Sequence, residues 1–394
     1  MIQFVKTSRQ SSPDYEIIRD FRPERIQNVI AYHKSFPEYS VTPLVYLDSL
    51  ASELGLRSLC VKDESFRFGL NSFKVLGGSY AVGRIIADRL GLDIGQLSYP
   101  LLVSGETAEK LGDFTLITAT DGNHGRGIAW TANRLHRNSV VYMPKGTASE
   151  RLNNILSLGS NASVTDLNYD DALRLASRHA QENGWILVQD TSWPGYEEIP
   201  RWIMLGYTTM AYEASVQLKS RPTHIFLQAG VGSMAAAVTA FFANLYREDS
   251  ERPRICIVEP DKADCLYRSA LSGSVQKISG NMDSIMAGLC CGEPCTVAWE
   301  ILKEHASGFF SVSDDITEKG MRLLARGLGT DSSVVSGESG AVTTGLVAEL
   351  MTNPDCSEYS RELGLNRDSR ILCFSTEGAT DRENYRKIVN GMTN

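Results

Sequence analysis

The sequence predicts an α/β protein with mostly parallel strands. Short apolar runs alternate with segments whose apolar residues recur at helical spacing. Such alternation is typical of folds in which helices cover a parallel sheet. The chain of 394 residues is longer than one hydrophobic core usually supports, so two domains are expected. The apolar runs occupy residues 59–61, 114–118, 140–143, 185–188, 224–227, 255–258 and 371–374.

Helical periodicity is clearest in residues 148–158 and 170–183, where apolar side chains recur every three or four positions. Residues 192–200 break the alternation with a Trp-Pro-Gly sequence and a second proline, and they predict a domain junction. The chain shows no internal repeat, coiled coil or low-complexity segment.

The overall charge limits the range of partners. With 39 basic and 47 acidic residues, the formal net charge is −8 and the sequence pI is about 5.4. An acidic chain argues against nucleic acid or an anionic membrane as the main partner. The first residues lack a signal-peptide pattern, and no apolar run approaches the roughly 18 residues of a membrane span. A cytoplasmic protein is therefore expected.

The eight cysteines do not predict a disulfide framework in a chain of this length. Cys290, Cys291 and Cys295 form a cluster, but no fourth ligand follows at a zinc-type spacing, so no metal site is expected. Whether Cys265 pairs with a cysteine of this cluster is left open.

The first segment that can carry chemistry is residues 63–78, in which Ser72-Phe-Lys74 precedes two glycines. A lysine amine with little bulk around it can form a Schiff base with an aldehyde cofactor. The alternative is a surface lysine beside a turn. Taken alone, the segment favours that alternative.

The second segment, residues 118–127, directly follows a predicted strand and contains Asp121, Asn123 and His124. Small residues at a strand end open a loop beside a helix N-terminus, where ligands bind. Asn123 offers a donor and an acceptor to a planar ring. A general-base role is conceivable for His124, but a structural role is favoured because the asparagine and the aspartate account for the loop better.

The third segment, residues 227–235, joins a predicted strand to an alanine-rich helix. Its backbone N–H groups and the helix dipole can bind phosphate. The string Gly230-x-Gly232-x-x-Ala235 also matches the dinucleotide fingerprint, with Glu259 ending the next strand. An NAD-dependent oxidoreductase is nevertheless disfavoured, because the acidic residue comes later than the usual spacing of about 20. It would also leave the first two segments unexplained.

Taken in this order, the three segments resemble the tryptophan-synthase-β-like family of pyridoxal-phosphate (PLP) enzymes, known as fold type II. The lysine motif of that family corresponds to residues 72–74, its asparagine loop to residues 121–125 and its phosphate loop to residues 230–234. A late strand that ends in hydroxyl residues corresponds to Ser375 and Thr376.

This resemblance implies two open, mostly parallel twisted sheets flanked by helices, with the cofactor in the cleft between a large and a small domain. The large domain is expected at residues 1–85 and 195–394, and the small domain at residues 86–194. The resemblance also implies a homodimer that acts on a small amino acid.

The resemblance implies a set of PLP contacts. The expected cofactor-binding residues are Lys74, Asn123, Gly230, Val231, Gly232, Ser233, Met234, and Ser375 or Thr376. Relatives often carry glycine at positions 231 and 233. Val231 narrows the allowed backbone, because a β-branched residue rarely adopts a positive φ, while Ser233 adds a hydroxyl.

Three longer segments, residues 66–74, 119–127 and 190–196, resemble the ammonia-lyase branch of the family. This implies conversion of D- and L-2,3-diaminopropionate to pyruvate and ammonia. Asp121 stands where many dehydratases of the family carry serine. A carboxylate there attracts a β-ammonium group and can act as a base. Following the resemblance, Lys74 is assigned to the L-substrate and Asp121 to the D-substrate.

The remaining expectations concern substrate contacts and competing functions. Ser72, Asp121 and Asp190 are the expected substrate contacts, although Asp190 also suits a cap or turn. Glu338 can line the cofactor, but a charge at a helix N-terminus is the favoured interpretation.

A serine/threonine dehydratase or desulfhydrase is the main alternative to the ammonia-lyase function, and Asp121 argues against it. A catalytically silent PLP-binding protein is a further alternative, against which Lys74 and Asp121 argue.

Overall fold

Two sheets contain the strands of the computed structural model, which describes residues 1–7, 13–120, 122–248, 250–280 and 282–391. The strands in these residues are β1 (Ile2–Lys6), β2 (Leu44–Tyr46), β3 (Ser58–Asp63), β4 (Thr115–Ala119), β5 (Asn138–Met143), β6 (Asn161–Val164), β7 (Ile186–Leu187), β8 (His224–Gln228), β9 (Arg254–Pro260), β10 (Gly308–Val312) and β11 (Arg370–Ser375). The larger sheet has the order β1-β10-β9-β8-β11-β3-β2, and the smaller sheet has the order β6-β5-β4-β7.

Most neighbouring strands run parallel, as the sequence predicts. Among the described strands of the larger sheet, the antiparallel pairings are those at its two edges, β1 with β10 and β2 with β3. The pairings of the smaller sheet are parallel. The carboxyl ends of parallel strands gather at one edge of a sheet, which is where open α/β sheets bind ligands. The predicted α/β class with two mostly parallel sheets is confirmed.

Each apolar run predicted as a strand coincides with a strand of the structure, but β1, β2, β6 and β10 were not predicted. Three of them, β1, β2 and β6, are edge strands, and none of their residues is fully buried.

Helices fill the connections between strands. The α-helices of the described residues are α1 (Gln27–Lys34), α2 (Asp48–Glu53), α3 (Lys74–Leu90), α4 (Tyr99–Leu102), α5 (Gly105–Leu111), α6 (Asn123–Arg134), α7 (Ser149–Leu156), α8 (Tyr169–Asn183), α9 (Glu198–Gln217), α10 (Ser233–Leu245), α11 (Cys265–Ser272), α12 (Thr296–His305), α13 (Asp314–Arg326), α14 (Glu338–Thr352), α15 (Ser357–Leu363) and α16 (Arg382–Val389). The two helices predicted from periodicity correspond to α7 and α8. In the described part of the chain, no helix has the length and apolar character needed to cross a membrane.

Helix α3, which begins at Lys74, is fixed by close packing against α9. A Cβ atom on Gly77 would lie 2.5 Å from Tyr207 Cε1, and a Cβ atom on Gly206 would lie 2.4 Å from the Leu76 carbonyl oxygen. Side chains do not tolerate such distances, so both glycines are needed for the two helices to approach. Gly77, the first of the two glycines after Lys74, therefore serves helix packing and does more than leave room for a cofactor.

A buried network of charges anchors the segment that leads to Lys74. Arg67 pairs with Glu64 at 2.8 Å and with Glu213 at 2.7 Å, and Lys62 pairs with the same Glu213 carboxylate at 2.7 Å. Two positive and two negative charges thus compensate one another away from water. Removing one partner from such a network costs about 3–5 kcal/mol, because it leaves a buried charge without compensation. The network ties β3 and the loop after it to helix α9.

The smaller sheet comes entirely from residues 115–187, and the larger sheet comes from the chain on either side. This segregation supports the division into a large domain (1–85 and 195–394) and a small domain (86–194), whose boundaries remain a proposal. At the predicted junction, Trp193 and Tyr196 stack with ring centroids 4.4 Å apart before α9 begins.

Candidate active site

A cleft between the two sheets brings together the three segments identified in the sequence. Its volume is about 430 Å³, within the range of small-molecule sites, about 300–1,000 Å³. Lys74, Asn123 and residues 230–234 line it, together with Asp190 and Thr376. Other residues of its wall that carry charged or amide side chains are Lys145, Arg151, Asn168, Gln228, Glu338, Glu377, Asp381 and Asn384.

Lys74 and Asp190 meet across this cleft. Lys74 is the first residue of α3, and its Nζ donates to Asp190 Oδ2 in a close ion pair. Asp190 follows β7 of the smaller sheet, so the pair joins the two sheets. The two side chains are 19% and 5% exposed. Such an environment differs from that of a surface lysine beside a turn.

Asp190 is held in its ionised form. Burial alone opposes ionisation, but the charges of Lys74 and His124 outweigh it and lower the pKa of Asp190 to about 2. His124 Nδ1 lies 3.9 Å from Asp190 Oδ2, and His124 Nε2 donates to the Val188 carbonyl oxygen at 2.8 Å. The second contact fixes the imidazole in the wall of the cleft, which agrees with the structural role favoured for His124.

The loop of residues 230–234 joins β8 to α10, as a phosphate loop requires. Gly232 has a φ of 97°, a conformation that is costly for residues with a Cβ atom, whereas Val231 has no positive φ. The β-branched residue is therefore compatible with the loop. Ser233 begins α10, and its Oγ donates to the Asp190 carbonyl oxygen at 2.6 Å. That hydroxyl links the loop to the smaller sheet.

The asparagine loop is shaped by a threonine that sequence analysis did not single out. Thr120 Oγ1 accepts hydrogen bonds from the backbone N–H groups of Gly122 and Gly125, at 2.9 Å and 3.1 Å. These contacts turn the chain from β4 into α6, and Asn123 is the first residue of that helix. Asp121 lies outside the described residues, so its roles as a base and as a substrate contact stay predictions.

The hydroxyl groups expected at the site have different surroundings. Thr376 lines the cleft and accepts a hydrogen bond from Gln228 Nε2 at 2.7 Å. Ser375 is fully buried, and its Oγ donates to a neighbouring serine hydroxyl at 2.8 Å. Ser72 Oγ accepts from the Lys74 backbone N–H at 3.4 Å. Thr376 is among the described residues that line the cleft, whereas Ser375 and Ser72 are not.

Glu377 is a site residue that sequence analysis missed. It is 3% exposed and lines the cleft. Its Oε2 accepts from Asn123 Nδ2 at 2.5 Å, and its Oε1 accepts from the Ser339 backbone N–H at 3.1 Å. The available signal was an acidic residue two positions after the buried end of β11, where a charge is rarely left without a partner.

Glu338 combines the two interpretations considered for it, because it begins α14 and also lines the cleft. Asn384 Nδ2 donates to its Oε1 at 2.6 Å, while its Oε2 is buried without a hydrogen-bond partner in the described part of the chain. Burial and the nearby charge of Glu377 raise the pKa of Glu338 to about 7. The cleft therefore contains one carboxyl group that is held ionised and one that titrates near neutral pH.

The residues of the cleft fit PLP. Lys74 offers a mostly buried amine to an aldehyde, and residues 230–234 offer backbone N–H groups at a helix N-terminus to a phosphate. A Cβ atom on Gly230 would lie 3.1 Å from Cys291 Sγ, so a larger residue would crowd this loop. Asn123 and Thr376 supply polar groups for a planar heteroaromatic ring.

Comparison with known proteins agrees with this site. Residues 36–360 match the family described as "Pyridoxal-phosphate dependent enzyme". Diaminopropionate ammonia-lyase of Salmonella typhimurium is 50% identical over 368 residues, covering 92% of this chain and 91% of that protein. Diaminopropionate ammonia-lyase of Escherichia coli K12 is 47% identical over 361 residues, covering 91% and 89%. The chain belongs to the pyridoxal-phosphate-dependent enzyme family and, within it, to the group of the diaminopropionate ammonia-lyases.

Solved structures lead to the same group. Holo diaminopropionate ammonia lyase from E. coli matches with a TM-score of 0.92 at 42% identity, covering 100% of this chain and 97% of that chain. The E. coli enzyme in complex with D-serine matches with a TM-score of 0.92 at 42% identity, covering 100% and 98%. Threonine deaminase isoform 2 from Solanum lycopersicum, at 20% identity and a TM-score of 0.73, covers 98% and 96% and shares the fold. This protein is a PLP-dependent lyase.

Proposed function

We propose that this protein eliminates ammonia from D- and L-2,3-diaminopropionate and that water then hydrolyses the resulting aminoacrylate to pyruvate and a second molecule of ammonia. The observation that carries the proposal is the buried Lys74–Asp190 pair beside residues 230–234, in a chain 50% identical to a diaminopropionate ammonia-lyase. An ionised carboxylate beside the reactive lysine suits a substrate with a second amino group better than one with a β-hydroxyl.

Four parts of the cleft would hold the cofactor. Lys74 would hold it covalently, residues 230–234 would bind its phosphate, and Asn123 would contact its ring. Thr376 is the better candidate for the ring nitrogen, because it lines the cleft while Ser375 does not. The bound cofactor would supply an acceptor for the electron pair that remains on the α-carbon when the α-proton leaves.

The protein's own residues would handle the protons and the charge. Lys74 Nζ would remove the α-proton of the L-substrate, and Asp121 would remove that of the D-substrate from the opposite face of the cofactor. Beside the charged Lys74, the pKa of Asp190 is about 2, so its ionised carboxylate is a better partner for an ammonium group than it is a base. As a neutral amine ready to accept the α-proton, Lys74 would no longer neutralise Asp190, and the carboxylate would be available to bind the β-ammonium group of the substrate.

A visible spectrum of the purified protein tests the proposal. We expect a yellow protein whose absorption band changes when 2,3-diaminopropionate is added, with one pyruvate formed per substrate consumed. A higher kcat/KM for L-serine or L-threonine would favour a dehydratase. A colourless protein that binds NAD would overturn the PLP site.

We further propose that the enzyme is a cytoplasmic homodimer that acts without nucleic acid or membrane. The family resemblance and the net charge of −8 support this proposal. Light scattering coupled to size-exclusion chromatography tests it, and a mass of one chain, 43.4 kDa, would contradict the dimer.

A further inference from the structure

We propose that Glu377 is a positioning residue of the cofactor site. Its carboxylate holds the Asn123 side chain in one orientation and couples it to the larger sheet. The inference rests on the proposed function, because a contact between Asn123 and PLP is part of that function.

The contact between these residues crosses the cleft. Asn123 begins α6, directly after a strand of the smaller sheet, and Glu377 follows β11 of the larger sheet. Their hydrogen bond, from Asn123 Nδ2 to Glu377 Oε2, is 2.5 Å long. The other carboxylate oxygen accepts from the Ser339 backbone N–H at 3.1 Å, at the start of α14. Both oxygens of Glu377 are therefore used by donors that belong to different parts of the fold.

The chemistry of the two side chains determines which way the amide faces. A carboxylate only accepts hydrogen bonds, so the nitrogen of the Asn123 amide must point toward Glu377. The second N–H of that nitrogen, and the amide oxygen, remain available to the cleft. A glutamine at position 377 could accept from one donor only, because its own NH₂ group would face the other.

The backbone of Glu377 is fixed as firmly as its side chain. The Glu377 carbonyl oxygen accepts from the Gly337 N–H at 2.9 Å, and an isolated antiparallel bridge pairs Glu377 with Ser72, two residues before Lys74. The Gly378 N–H donates to the Asn71 carbonyl oxygen at 3.0 Å. The lysine segment, the start of α14 and the asparagine loop thus converge on one residue.

The test compares wild-type holoenzyme with Glu377→Gln. This substitution keeps the shape of the Glu377 side chain and removes its charge. A hydrogen bond to a buried charge contributes as much as about a 10-fold to 100-fold change in an equilibrium constant. We expect PLP affinity, measured by titrating the apoprotein and following the visible band, to fall by that factor, and the band maximum to shift. Thr380→Val is the matched control. Its hydroxyl makes the longest contact to the same carboxylate, at 3.4 Å, so its removal should change PLP affinity by no more than about twofold.

A double-mutant cycle separates positioning from a general structural role. If Glu377 acts through Asn123, adding Glu377→Gln to Asn123→Ala should weaken PLP binding little beyond the Asn123→Ala variant alone. Losses that multiply would overturn the inference. Should Glu377→Gln fail to fold, as judged by its thermal unfolding, Glu377→Asp keeps the charge but withdraws it from Asn123, and the same cycle applies.

The outcomes also separate this inference from the proposed function. A wild-type protein that binds no PLP would overturn both. A wild-type protein that binds PLP, together with a Glu377→Gln variant of unchanged band and affinity, would overturn the inference alone.

Discussion

Two carboxyl groups of the cleft have similar burial and opposite charge environments. Asp190 stands beside Lys74 and His124, and its pKa is lowered to about 2 despite burial. Glu338 stands near Glu377, and burial together with that negative charge raises its pKa to about 7. Counted over the whole residue, Asp190 is 3% exposed and Glu338 is 2% exposed.

The comparison shows that burial alone does not decide the protonation state of a carboxyl group. Burial opposes ionisation at both positions, and the sign of the neighbouring charge determines the outcome. The Asp190 side of the cleft can therefore bind an ammonium group, while the Glu338 side carries a proton for part of the time near neutral pH.

The most severe test of the Asp190 side is removal of its positive partner. Lys74→Ala should lower turnover of both enantiomers by about 10⁴ or more, because it removes the covalent hold on the cofactor and the base for the L-substrate. Pyruvate release measures the effect. Lys145→Ala is the control, since Lys145 also lines the cleft. Borohydride reduction and peptide mapping should place the pyridoxyl group on Lys74, and a label on Lys145 would refute the assignment.

Asp121→Asn asks whether a second carboxylate takes part in the reaction. We expect turnover of D-2,3-diaminopropionate to fall by about 10² to 10⁴, the usual effect of removing a general base. The L-substrate should lose less, because Lys74 still serves it. The visible spectrum should stay near that of wild type. Equal losses on both enantiomers would leave Asp121 as a binding group only, and unchanged activity on the D-substrate would remove it from the mechanism.

Asp190→Asn sharpens the comparison by removing one charge at nearly constant shape. We expect kcat/KM for 2,3-diaminopropionate to fall by about 10²-fold, since a buried ammonium group loses its partner. Any turnover of serine, which has a neutral β-hydroxyl, should fall less. Parallel steady-state assays on both substrates measure the ratio. Equal losses on both substrates would argue against a contact with the β-ammonium group.

The smallest expected effect on activity, and the clearest on stability, belongs to Glu338→Gln. Folding raises the pKa of Glu338 from 4.5 to about 7, so folding favours the protonated form. The stability that this proton contributes is fully present below pH 4.5 and is lost as pH rises through 7. The glutamine of the variant is neutral at every pH, so its stability does not fall in this way. At pH 8 the free energy of unfolding of the variant should exceed that of wild type by up to about 3 kcal/mol.

Urea unfolding at pH 5 and pH 8 measures this difference in the free energy of unfolding, which should grow with pH.

The contribution of Asp190 to the free energy of unfolding changes with pH in the opposite direction. Its pKa is lowered from 3.8 to about 2 on folding, so its stabilisation is present above pH 3.8 and is lost as pH falls through 2. A Glu338→Gln variant whose gain is the same at both pH values would contradict the charge environment described for Glu338.

The layered α/β fold and three of the site segments could be predicted from the chain alone because their signals are local. A run of apolar residues forms a buried strand wherever it is placed in such a sheet, and the lysine, asparagine and glycine-rich segments each lie where a strand or loop leads into a helix. Family resemblance then related these segments to PLP. Together they account for Lys74, Asn123 and residues 230–234 as parts of one cleft.

Other features were decided only by tertiary structure. Strand β1 is held by pairing with β10, some 300 positions away in the sequence. Glu377 acquires its role from Asn123, which lies 254 positions earlier. The choice between Ser375 and Thr376 depends on which side chain faces the cleft. The protonation states of Asp190 and Glu338 depend on charges brought close by folding. Electrostatic interactions and hydrogen bonds depend on distance in space, and no local pattern of residues contains that distance.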